Sequence, residues 1–358
     1  MVLKDRAGQE RFVRRCLDAY DVGALVDWES HGGTAAGTWR VRTERGLWLL
    51  RTRGVRTSGA ANVAFDHGLR RHLAASDIPT ACPVRARDGR GCVQVNARTM
   101  ELYPWVRGRC LAAADDALLP RVAGFLARFH QVSMQFPLAR SLPPVAQYST
   151  LGVSDPDTRM ENPELLARIY GDLSARVDAA DYAEAVVVSR AWLARLLDRF
   201  GRERYEMLPH TVTHGDFTLA NLLFDRRGAV VGVFDFDWAR WAPRIRDIAD
   251  GMLFIAGQRQ SPLRAGDIWS LTEAPSLRLD RCSAWLRGCQ ALTPLSPEEV
   301  RALPLAAAAR WLSIRVEGVA KVPDSDKLRF CFGNLAAPLL WLDTNWAAVA
   351  RELLQAEQ

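Results

Sequence analysis

His214-Gly215-Asp216-Phe217-Thr218-Leu219-Ala220-Asn221 runs directly into apolar Leu222-Leu223-Phe224, a polar Asp225-Arg226-Arg227-Gly228, and a second apolar run, Val230-Val231-Gly232-Val233-Phe234, that ends in Asp235-Phe236-Asp237. Two short apolar runs separated by a glycine-containing turn predict a β-hairpin. Its first strand leaves a loop carrying Asp216 and Asn221, and its second strand returns Asp235 beside that loop. Any one of these residues fits ordinary turn chemistry, since Asp and Asn favour turns and caps. The ordered set, with polar groups at the ends of otherwise apolar strands, calls for a further reason.

Phosphoryl transfer supplies one. It needs a carboxylate to take or orient a hydroxyl proton, oxygen ligands for magnesium, and a cation near the phosphates. Asp216 suits the first role, and Asn221 and Asp235 suit the second, because magnesium prefers hard oxygen ligands. A D-x-x-x-x-N loop, a hairpin and D-F-x follow one another in the order and residue types of kinase catalytic and metal loops.

The segment from Thr213 to Ala249 resembles the core of the aminoglycoside phosphotransferase family. That family is a branch of the protein-kinase-like fold that also includes homoserine, choline and methylthioribose kinases. The resemblance implies an α+β, bilobal fold with a small β-rich N-terminal lobe and a larger, mainly helical C-terminal lobe. It implies ATP and Mg2+ as cofactors, Asp216 as catalytic base, and Asn221 and Asp235 as metal ligands. The lobes are expected at 1–103 and 109–358, joined by a hinge at 104–108. Asp247, in Arg246-Asp247-Ile248-Ala249, takes the place of the family's brace for the catalytic loop; an ordinary helix cap is the plainer account of it. Asp237 is expected to support the metal shell or to cap the next turn.

Towards the N-terminus the same resemblance places the nucleotide-covering loop at His31 to Gly37, with Gly32, Gly33 and Thr34 approaching the phosphates through backbone N–H groups. A plain hairpin bend is the competing account. Arg51 stands where a kinase strand carries its phosphate-pairing lysine, and the always-charged guanidinium suits that task. Asp66 is the candidate partner for Arg51 on the following helix. In Glu101-Leu102-Tyr103-Pro104-Trp105-Val106-Arg107-Gly108 the hinge would offer adenine the Pro104 carbonyl and the Val106 N–H. His130, closing Leu126-Ala127-Arg128-Phe129-His130, reads as a packing histidine.

The periodicity predicts a helix over 8–28, strands at Thr38–Arg42 and Leu47–Arg51, a helix around 60–75, and strands at Cys92–Val95 and Thr99–Tyr103. Long helices follow, among them 112–130, 183–200 and 334–354, with a loop at Ser154-Asp155-Pro156-Asp157.

Composition narrows the remaining choices. The 358 residues are 49% hydrophobic, enough for a sizeable core in two units. The formal charge of +6 is spread as arginines among acids, with no basic block, so no nucleic-acid partner is expected. No apolar run is long enough to cross a bilayer, and the charged start lacks the apolar core of a signal peptide, so a cytoplasmic protein away from membranes is expected. Seven cysteines without close pairing read as reduced packing residues. The lysines are Lys4, Lys321 and Lys327, so arginine must serve wherever the first three hundred residues past Lys4 need a cation.

The acceptor is expected to be a hydroxyl on a small molecule: an aminoglycoside or other antibiotic, an amino sugar, or a homoserine-like or choline-like amino alcohol. Asp155, Asp157, Glu161 and Glu164 would suit a polycation, although a solvated acidic loop explains them too. Trp269, Trp285, Trp341 and Trp346 read either as pocket walls or as core. Ala306 to Arg315 is similar to a late helix of bacterial homoserine kinases. The alternative reading is a catalytically silent, kinase-like protein that binds nucleotide or a partner.

Overall fold

The structure is a computed structural model that describes residues 5–30, 37–137 and 162–355 apart from 262, 265 and 266. Its N-terminal part is built on one antiparallel sheet. Helix α1 (Arg6–Leu17) precedes β1 (Leu25–Ser30), β2 (Thr38–Thr43) and β3 (Gly46–Thr52); α2 (Ala60–Ala75) follows, then β4 (Val93–Val95) and β5 (Arg98–Pro104). The strands lie in the order β1-β2-β3-β5-β4. Val41, Leu50, Met100 and Leu102 are fully buried beneath α1, whose Phe12, Val13 and Cys16 close the same cluster.

The C-terminal part is mainly helical: α3 (Leu119–Ser133), α4 (Pro163–Ser174), α5 (Ala183–Arg199), α6 (Arg202–Met207), α7 (Ile245–Gly251), α8 (Leu279–Cys289), α9 (Pro297–Val319), α10 (Lys327–Phe332) and α11 (Ala336–Gln355). Between α6 and α7 lie two small antiparallel ribbons. In one, β6 (His210–Thr213) pairs with β9 (Arg240–Pro243); in the other, β7 (Leu222–Phe224) pairs with β8 (Val230–Val233). The predicted hairpin is therefore present, with Leu222 opposite Val233. A bridge between Arg109 and Phe224 ties the chain leaving the sheet to this hairpin.

Two helix predictions are corrected. The chain over 25–28 is a strand, because Gly23, at φ +77°, turns it after α1 and β1 then pairs with β2. The helix expected from 112 begins at Leu119: the Asp115 carboxylate accepts a hydrogen bond from the Leu118 N–H, and Pro120 sits in the first turn, where proline is tolerated. The loop containing Asp155 and Asp157, and Glu161 after it, lie outside the described residues. All seven cysteines are free, and four are buried. No helix among the described residues is long and apolar enough to cross a membrane.

The four tryptophans belong to the core. Trp285 is fully buried and donates its indole N–H to the Ile248 carbonyl, while Trp269, Trp341 and Trp346 pack on the same cluster from its margin. Trp285 also fixes how closely α7 and α8 approach, since a Cβ at Gly251 would lie 1.9 Å from its ring. A ring anchored by a buried hydrogen bond cannot step aside cheaply. Gly251→Ala is accordingly expected to destabilise the protein by about 3 kcal/mol, seen as a lower midpoint in chemical denaturation; an unchanged midpoint would show that the two helices tolerate separation.

Candidate active site

The loop after β6 is held from below by one carboxylate. Asp247, fully buried in the first turn of α7, accepts hydrogen bonds from the backbone N–H groups of His214 (2.7 Å) and Gly215 (2.9 Å), and a third from His130 Nε2 (2.9 Å). Burial pushes the Asp247 carboxyl up, but the His130 hydrogen bond and the charges around it outweigh that and hold it below the usual carboxylate value. Gly215 makes the turn possible, with φ +85° and the Trp238 carbonyl oxygen only 2.2 Å from where a Cβ would stand. His214 is also buried, its Nε2 3.0 Å from the Phe234 carbonyl, which joins the loop to the end of β8.

Asp216 follows this turn with its side chain partly exposed. Asn221 donates from Nδ2 both to the Asp216 backbone carbonyl (2.9 Å) and to its Oδ2 (3.0 Å). On the other side Arg310 of α9 places Nη2 3.7 Å from Asp216 Oδ1. The surrounding protein raises the Asp216 pKa by burial; Arg310 opposes this, and Asp250 adds to it.

Asp235, two residues past β8, is in the left-handed region (φ 66°, ψ 63°), which Asp tolerates better than most residues. Its Oδ1 accepts from Arg51 Nη2 at 3.0 Å, and the same nitrogen lies 2.7 Å from Asp237 Oδ2. Arg51 thus reaches from β3 across to the carboxylates that follow the hairpin. The second oxygen of Asp237, Oδ1, is buried without a hydrogen bond, with Arg53 Nη2 3.6 Å away.

The expected pair of Arg51 with Asp66 is not formed. Asp66 is bound by Arg53 (2.6 Å) and by Arg70 (2.6 Å), while Arg53 also reaches Glu101 (2.9 Å). Residues two apart on a strand share a face. Arg53 lies farther along the chain than Arg51, beyond the end of β3, and takes the shorter acid on α2, leaving Arg51 to the hairpin carboxylates. Glu101 stands opposite Arg51 on β5 and is held well below its usual range. Burial alone would raise it, but His67 and Arg53 overcome that.

Of the other predicted residues, Gly32, Gly33 and Thr34 lie outside the described residues. Pro104 closes β5 opposite Trp48, and Val106 lies beside Gly232 of β8, so this segment runs along the seam between sheet and hairpin. Sequence reasoning missed Arg53, Arg246, Asp250 and Arg310. Arg246 and Asp250 are one helical turn apart and pair at 3.1 Å; Asp250 also accepts from Arg310 Nε at 2.6 Å. The signal was available: an i,i+4 Arg–Asp pair, and one arginine ending an alanine run.

The family model described as "Phosphotransferase enzyme family" matches residues 27–309. A homoserine kinase of Chelativorans sp. (strain BNC1) is 26% identical over 312 residues, covering 86% of this chain and 85% of that protein. Among solved structures, the microcompartment-associated aminopropanol kinase superposes with a TM-score of 0.65 at 16% identity, covering 96% of this chain and 99% of that one. Amicoumacin kinase hAmiN, solved with AMP-PNP, Ca2+ and Ami, gives 0.61 at 15% identity, covering 96% and 92%. The chain belongs to this phosphotransferase family, has its kinase-like fold, and is a small-molecule kinase.

Proposed function

We propose that the protein transfers the γ-phosphate of ATP to the hydroxyl of a short amino alcohol or hydroxy amino acid of the homoserine type. The observation that carries this reading is the meeting of Asp216, Asn221 and Asp235 where the loop and hairpin join, with Arg51 reaching Asp235 from the sheet. The proposed acceptor follows the relatives: the homoserine kinase matches most of both chains. An ATP-consuming reaction of this kind belongs in the cytoplasm.

The donor set suits magnesium. Asn221 spends its amide hydrogens on Asp216, which leaves its carbonyl oxygen for a metal; Asp235 offers a carboxylate, and Asp237 keeps an oxygen without a hydrogen bond. Asn221 and Asp235 would hold the ion, with Asp237 behind them, and the bound ion would neutralise phosphate charge. Asp216 accepts the proton of the acceptor hydroxyl as its oxygen attacks the γ-phosphorus and ADP leaves. Asn221 fixes the orientation of that carboxylate, and the Asp247 brace beneath it limits movement of the loop. Arg51 carries positive charge to the phosphates, and the segment at 104–108, with Pro104 and Val106, receives the adenine between lobes 1–103 and 109–358. Catalysis rests on positioning and on charge placed in advance.

Two experiments test these roles. Asp216→Asn is expected to lower kcat with L-homoserine or 3-amino-1-propanol by roughly 10²-fold or more, the range for a lost general base, while ADP affinity by calorimetry stays within about twofold. Equal loss of both would remove Asp216 from the chemistry. The two arginines should separate as well. Arg51→Met is expected to raise the KM for ATP roughly tenfold, the loss of a charge-assisted contact, at a smaller stability cost than Arg53→Met, because its partner Asp235 is open to solvent. Arg53→Met leaves Asp66 and Glu101 short of a buried partner and is expected to cost about 3 kcal/mol in denaturant unfolding. The reverse pattern would exchange their assignments.

A further inference from the structure

Arg310 ties the proposed base to a second acid. Its guanidinium is buried, anchored through Nε to Asp250 at 2.6 Å, with Nη2 3.7 Å from Asp216 and Nη1 3.3 Å from Glu317 Oε1. Glu317 lies two helical turns after Arg310 on α9, so both side chains leave the same face of the helix. Unlike Asp250, which is fully buried and shared with Arg246, Glu317 is partly open, with its side chain 31% exposed. Its second oxygen, Oε2, accepts no hydrogen bond among the described residues.

Charge decides what this arrangement can receive. Three carboxylates, Asp216, Asp250 and Glu317, surround one guanidinium, and of these Arg246 pairs with Asp250 at 3.1 Å while lying 3.8 Å from Asp247 as well. A surplus of negative charge remains on the side of Asp216 that faces α9. One planar guanidinium bridging Asp216 and Glu317 holds the two carboxylates within roughly 9 Å of each other. A molecule spanning them needs a hydroxyl at one end and a hydrogen-bond donor at the other. With contacts of about 2.8 Å at each end, its own length is a few single bonds. An ammonium group meets both the length and the charge.

We infer that Glu317, held in place by Arg310, receives the primary ammonium group of the acceptor while the acceptor's hydroxyl meets Asp216. This rests on the phosphotransferase reading and narrows it to acceptors whose hydroxyl and ammonium are separated by a short carbon chain. Arg310 is the positioning residue, setting Glu317 at a fixed distance from Asp216, and Glu317 is the residue that discriminates.

Binding of L-homoserine and 3-amino-1-propanol to the full chain in the presence of ADP and Mg2+ tests this by calorimetry, with 4-hydroxybutanoate and 1-propanol as the analogues lacking nitrogen. At least one amino compound is expected to bind, its nitrogen-free analogue at least tenfold more weakly, and Glu317→Gln is expected to weaken the amino compound tenfold or more without lowering the denaturation midpoint. Arg310→Lys, which keeps the charge and loses the fork, is expected to weaken the same compound. Unchanged affinity in Glu317→Gln, equal binding of the nitrogen-free analogue, or no binding of either amino compound would overturn the inference. Turnover with ATP, measured beside these titrations, separates the two readings. Glu317-dependent binding without phosphate transfer would sink the kinase mechanism and leave the ammonium site standing. Transfer indifferent to Glu317 would do the opposite.

Discussion

Everything at the centre of this molecule is hung on the carboxylate of Asp247. Two consecutive backbone N–H groups and a buried imidazole converge on it, and with no such acceptor those groups would be stranded away from water. The cost of leaving them unsatisfied is what keeps the His214–Asp216 turn in one conformation. Gly215 permits the turn, but Asp247 selects it, and the position of the Asp216 side chain follows. Because Asp247 belongs to α7, the loop inherits the rigidity of a buried helix that packs on α8 and α9.

From that fixed point the site divides into two electrostatic halves. Towards the sheet, acids and arginines alternate in a continuous series: Asp235, Arg51, Asp237, Arg53, Asp66 and Arg70. Burial penalises the charges on Arg51, Arg53, Arg70, Asp66 and Asp237, and their neighbours offset that cost. Asp237 shows how fine the balance is: burial pushes its carboxyl up, Arg51 pulls it back, and Asp235 pushes it up again. Arginine suits this task better than lysine, because its several donors serve more than one acid from a single buried group. Arg53 does so with Thr57, Asp66 and Glu101 together.

This division also explains what the sequence could tell. Asp216, Asn221 and Asp235 were legible because a hairpin brings its two ends together, so spacing along the chain translates into proximity. The strands β2 to β5, and the helix at 60–75, followed from local periodicity. Arg53 was hidden for the opposite reason: Arg51 lies in β3 and Arg53 just past its end, and choosing which one meets Asp66 depends on where β3 ends relative to α2. Register between distant elements is not written in either segment alone. Arg310 was less legible still, since nearly a hundred residues separate it from Asp216 and its neighbours in sequence are apolar. The missed strand at β1 and the late start of α3 turned on local stops, Gly23 and Pro120, that the broader periodicity overrode.

The alanines before Arg310 have a physical purpose that a helix-propensity argument does not supply. Ala306, Ala307, Ala308 and Ala309 are buried where α9 packs against α7 and its neighbours. Side chains of a single carbon let two helix axes come close, and only at short range can a guanidinium on one helix bond Asp250 on the other and still extend towards Asp216. A larger residue in this run would act at a distance, by lengthening the reach from α9 to the loop without touching any polar group. The Arg310 side of the site is therefore set by the spacing of two helices, whereas the sheet side is set by the pairing of charges. Change on the first side shifts Arg310 relative to Asp216 while the carboxylates around Arg51 stay as they are.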